Sequence, residues 1–126
     1  MGTTRARMQD LVLGILSLAA DRGVTQFPLV ELFRCFADLS DRFPTVIPFV
    51  FERAPYTVYS KAFDDALQAL VGYSVDLPNP QLQYIELAPE AARRHVTGLR
   101  AKYGDGFISS LAPASQDLAG KLGARA

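Results

Sequence analysis

A chain of 126 residues with a 49% hydrophobic share has the size of one domain and enough apolar material for one core, which excludes a disordered chain. Its formal net charge is zero and its pI is about 6.6, a balance that argues against the strongly basic class of autonomous nucleic-acid binders. One cysteine, Cys35, and one histidine, His95, exclude an intrachain disulfide and leave too few ligands for a Cys/His metal site.

The charge is unevenly spread. Residues 1–92 carry 7 basic and 11 acidic side chains, and residues 93–126 carry 6 basic and 2 acidic. That asymmetry is read either as a basic face or as a solvated C-terminal helix. The cysteine usage fits the cytoplasm. Arg5 and Arg7 before Leu11–Ala20 resemble a short export signal, but Asp10 and Leu18 stand against it. The apolar run is also too short to span a bilayer as a helix, so no membrane association is expected.

In chain order, residues 1–7 read as a flexible polar arm. The first helix is predicted over about Met8–Asp21, with Met8, Leu11, Val12, Ile15 and Ala19 as its apolar stripe and Gly23 closing it. Val24–Phe27 reads as a short first strand. Pro28 suits the first turn of a second helix whose core face is Leu29, Leu32, Phe33 and Phe36. Arg34, Asp38 and Arg42 form a solvated, ion-paired face of that helix, and Cys35 reads as a small buried hydrophobe.

Residues 43–59 contain Pro44, Pro48 and Pro55 and are not helical. Phe49-Val50-Phe51 is expected to be extended, with Phe49 and Phe51 on one face. A connection this long is an insertion between two helices. Ser60 is the N-cap of a third helix, with Phe63, Ala66, Leu67 and Leu70 on one face and Gly72 at its end. Tyr73–Leu77 and Leu82–Leu87 then read as a two-stranded wing turning at Pro78-Asn79-Pro80. Pro89 starts a fourth helix with the stripe Ala92, Val96, Leu99 and Tyr103, closed by Gly104. In the C-terminal extension, 104–126, Pro113 is expected to break the helix and Ser115 to cap a last short one.

This is a mainly α pattern with a small β-wing: a winged helix-turn-helix core over 8–103, a long insertion between helices 2 and 3, and C-terminal helices, all in one domain of residues 1–126. The pattern resembles the winged helix-turn-helix domains of small prokaryotic regulators and of phage-associated antitoxin-like proteins, including the Panacea family. The resemblance rests on Phe49, Phe51, Pro55, Tyr56 and Tyr59-Ser60 before the third helix, on Leu67, Leu70 and Val75, and on Leu87 with Pro89-Glu90-Ala91. Ala54 stands where that group has a turn glycine, and Leu29–Phe33 lacks its frequent basic residue.

Two functions follow. A DNA-binding regulator would present the third helix to duplex DNA, with Lys61 and Gln68 at base edges and Arg5, Arg7, Arg93 and Arg94 on phosphates; Asp64 and Asp65 oppose it. A protein-interaction module, antitoxin-like or a subunit of a larger assembly, would use Phe49, Phe51 and Tyr56 of the insertion and Phe107 and Leu111 of the extension, which could also form a homodimer contact. No phosphate loop, nucleophile elbow or metal motif is present, so neither enzymatic activity nor a cofactor is expected.

Overall fold

The computed structural model describes residues 6–55, 57–72, 74–77 and 83–123. Arg5, Tyr56 and the expected turn at 78–80 lie outside them. The described chain is mainly helical with small antiparallel sheets. Its elements are α1 (Met8–Asp21), β1 (Gln26–Pro28), α2 (Leu29–Arg42), β2 (Glu52–Arg53), β3 (Val58–Tyr59), α3 (Lys61–Leu70), β4 (Tyr84–Glu86), α4 (Pro89–Tyr103) and α5 (Asp105–Gly123).

α1 is the central helix. Val12, Ile15, Leu16, Ala19 and Ala20 are fully buried on it, and it packs against α3, α4 and α5. So broad an apolar stripe needs neighbours on more than one side. Gly14 permits the closest approach: a Cβ there would lie 2.5 Å from Leu111 Cδ1 of α5. Met8, expected in the stripe, is instead 43% exposed, because it occupies the first turn, beyond the reach of the core.

β1 pairs antiparallel with β4, placing Phe27 opposite Ile85, and both side chains are buried. Leu87 N–H donates to Thr25 O, extending the pairing by one step. Among its described residues the first expected wing strand shows isolated bridges, Val71 with Val75 and Asp76 with Glu86. Glu86 and Asp76 exchange two backbone bonds, of 2.8 and 2.9 Å, so β4 lies between β1 and residue 76.

Among the described residues the insertion between α2 and α3 carries the antiparallel pair β2–β3 and is pinned to its neighbours. Ser40 Oγ donates to Phe49 O at 2.8 Å, and Arg53 donates to Ala37 O and to Asp41. Phe49 and Phe51 share a face, as their spacing requires, and both rings meet Phe63 of α3 within 6 Å. Phe33 and Phe36 approach Phe63 from α2, so this one fully buried ring joins three segments.

Pro113 does not break the C-terminal helix. α5 is continuous, and Ser115 is a buried mid-helix residue donating to Ile15 O at 3.1 Å; it caps nothing. The reason is phase. Ile108, Leu111, Ser115, Leu118 and Leu122 keep one helical stripe across the proline, and all are buried. Pro113 and Ser109, whose carbonyl loses its donor, are both exposed, so water can satisfy that carbonyl. Burying each leucine contributes about 1.5–3 kcal/mol, enough in sum to offset the roughly 3 kcal/mol that an interior proline costs. Gly104, at φ 94°, makes the tight corner from α4 into α5.

Candidate functional site

α3 begins with the cap its sequence demands: Ser60 Oγ accepts from Phe63 N at 3.2 Å. Phe63, Ala66, Leu67 and Leu70 point into the core, which leaves Lys61, Asp65 and Gln68 exposed on the outward face and Asp64 half-exposed. Lys61 Nζ lies 2.9 Å from Asp65, and that hydrogen bond holds the lysine pKa above its ordinary value. Tyr59 donates its hydroxyl to Asp64 at 3.2 Å. Desolvation, followed by the Asp64 hydrogen bond, pushes the Tyr59 pKa upward. The face therefore carries two carboxylates and one lysine already bound to one of them.

The other expected phosphate contacts lie on different elements. Arg93 and Arg94 are exposed on α4, which packs on α1 and α5. Arg93 Nε is 2.9 Å from Asp21 Oδ1, and Arg94 has no ion pair among the described residues. Arg7 precedes α1, and its backbone N–H donates to the Tyr103 hydroxyl at 3.3 Å. That hydroxyl donates in turn to Asp10, a buried carboxylate that also takes Lys102 Nζ at 3.2 Å. The hydrogen bond to Asp10 raises the Lys102 pKa.

The charge asymmetry read in the sequence is thus partly cancelled in space. Arg93–Asp21, Lys102–Asp10 and Lys121–Asp38 join bases of the C-terminal part to acids of the rest, whereas Arg42–Asp117 runs the other way. Of the arginines and lysines of α4 and α5, Arg94 alone has no ion pair among the described residues.

The expected partner residues divide. Phe49 and Leu111 are core, 3% and 0% exposed, and cannot meet a partner in this conformation. Phe51 is half-buried against Phe63 and Phe49. Phe107 is half-buried against Tyr103 and lines an open cleft with Arg7, Met8, Leu11 and Val46.

A second groove, of about 420 Å³, was not anticipated. It runs between the N-terminal half of α2 and β3, and is lined chiefly by Leu29, Val30, Phe33, Val58 and Tyr59, with Arg34, Asp64 and Gln83 at its polar positions. Val30 and Tyr59 are 55% and 44% exposed, two of four large hydrophobics exposed among the described residues. Phe33 and Tyr59 stack across the groove, with centroids 5.8 Å apart and planes 11° from parallel. Gln83 holds a positive φ of 50° beside it, and its carbonyl accepts from Leu29 N at 2.8 Å, satisfying the first amide of α2. The available sequence signal was Val30, an apolar residue off the core face of its helix.

Cys35 is buried, and His95 Nε2 lies 2.9 Å from Ser74 O. Among the described residues no group of three or more His, Cys, Asp or Glu could hold a metal ion, and no helix is long and apolar enough to cross a membrane. No protein-family model, curated protein or solved structure matches this chain.

Proposed function

We propose that the chain is a winged helix-turn-helix domain acting as a non-enzymatic protein-interaction module, an antitoxin-like protein or a subunit of a larger assembly. The fold part of this reading is supported by the order α1, β1, α2, α3, β4, by the pairing of β1 with β4, and by the bridge from Glu86 to Asp76. In such a domain α3 is the presented helix and the ribbon around β4 is the wing.

The observation that carries the functional part is the chemistry of the α3 face. Asp64 and Asp65 outweigh Lys61, which Asp65 already binds, and the adjoining groove is apolar. A duplex would set those carboxylates against its phosphates and release few counterions. Apolar surface beside fixed charges suits a polypeptide partner better.

A DNA-binding regulator is the second reading, favoured by Arg94, which has no ion pair among the described residues, and by the exposed Gln68 on α3. Affinity for random and genomic duplex DNA through a salt series separates the two. The protein-module reading expects no measurable binding at about 50 mM salt. A steep loss of affinity with salt, abolished by Arg93→Glu with Arg94→Glu, would establish the regulator reading instead.

A further inference from the structure

We infer that the groove between α2 and β3 docks an extended segment of a protein partner, with an apolar centre flanked by carboxylates. The inference rests on the protein-module reading and names the chemistry of its partner.

Three observations converge on that occupant. The first is apolar exposure: Val30 on α2 and Tyr59 on β3 face solvent across one groove, above the Phe33 ring. The volume, about 420 Å³, suits one or two anchoring side chains and falls at the lower end of the range for small binding sites.

The second is an available strand edge. Among the described residues β3 pairs with β2 alone, in the register Arg53 with Val58 and Glu52 with Tyr59. Ala54 N–H donates to Thr57 O at 2.8 Å, which closes the hairpin end. Antiparallel pairs alternate between hydrogen-bonded and non-hydrogen-bonded. Val58, one step further on, therefore directs its own N–H and C=O away from β2. A strand edge beside apolar pockets takes an extended chain, whose backbone supplies affinity and whose alternate side chains supply specificity.

The third is charge. Arg34 lines the groove, is exposed, and has no ion pair among the described residues. Arg42, Arg53, Lys61, Arg93, Arg100, Lys102 and Lys121 each sit on a carboxylate. Asp64, the acid in the same groove, is already engaged by the Tyr59 hydroxyl. Among the described lining residues Arg34 is the one cation, and a carboxylate is the planar complement of its guanidinium; Asp64 keeps its own charge beside the Tyr59 hydroxyl. A nucleic acid would gain that one contact at the cost of desolvating its phosphates against Val30 and Val58.

The test uses the full chain and three capped synthetic peptides with a Leu-Val-Leu centre, flanked by glutamates, glutamines or lysines. Backbone amide NMR titrations locate binding and give affinities. The glutamate-flanked peptide is expected to bind and to shift Val30, Phe33, Val58 and Tyr59, and the lysine-flanked peptide to bind about tenfold more weakly or worse. Arg34→Glu, on an exposed helix position, should leave the fold unchanged by circular dichroism and reverse that order. Val30→Asp should abolish binding of all three.

Equal affinities, insensitivity to Arg34→Glu, shifts confined to other elements, or no binding at millimolar peptide would each overturn the inference. So would dilution-dependent shifts of the same amides in peptide-free protein, which would make a second copy the occupant. These failures leave the protein-module reading standing; salt-steep duplex binding removes that reading itself.

Discussion

On the α1–α4–α5 side of the molecule, basic side chains of α4 close onto acids of α1: Lys102 onto Asp10 and Arg93 onto Asp21. On the α2–β3 side, Arg34 stands without an ion pair among the described residues, beside exposed Val30 and Tyr59. The first side is rich in charge, most of it paired within the molecule; Arg94 and the cleft beside Phe107 are the exceptions. The second has less charge, and its cation and apolar groups remain available. What a partner meets is the part of the surface that folding leaves uncompensated, and net charge alone does not reveal it. Exposed ion pairs are worth little to stability individually, so the closed side owes its firmness to the α1 interfaces.

The comparison can be broken most forcefully at the joint between the two sides. Phe63 is fully buried and meets rings from α2 and from the insertion. Phe63→Ala should cost about 3–5 kcal/mol in urea unfolding and release the hairpin with it. A loss below about 1 kcal/mol would mean that the insertion does not share the core.

A smaller effect separates the charged side. The Lys102 pKa is raised by its hydrogen bond to Asp10, so the pair's contribution is complete below the ordinary value of 10.5 and is lost as pH climbs through the higher folded value. The difference in Tm between wild type and Lys102→Gln should hold constant from neutral pH to 10.5 and close above it. A difference that persists at higher pH would assign the lysine's effect to packing of its stem.

The smallest effect sharpens the open side. Val30→Ser removes an exposed apolar group and should change stability by less than about 0.5 kcal/mol. A larger loss in thermal unfolding would make Val30 part of the core and the groove a packing feature.

Much of the fold was legible because its signals are local. Ser60 reads as a cap and Gly104 as the close of α4, and each is found so; Phe49 and Phe51 share a face as read, both rings meeting Phe63, though neither lies in a strand. Pro113 misled because a local rule was applied where a tertiary one governs: the stripe from Ile108 to Leu122 stays in phase across it. The groove was not legible, since Val30, Tyr59 and Gln83 come from separate segments and meet only after folding. Arg93 shows the same limit; its charge is plain in the sequence, but Asp21 lies 72 residues away.

The most direct test of the account is a backbone amide NMR titration of the protein with duplex DNA at about 50 mM salt, where phosphate contacts are strongest. The account predicts that α3 amides, from Lys61 through Gln68, stay unshifted. Shifts concentrated on that helix, fading as salt rises to about 200 mM, would contradict it and make α3 a DNA-reading helix despite Asp64 and Asp65.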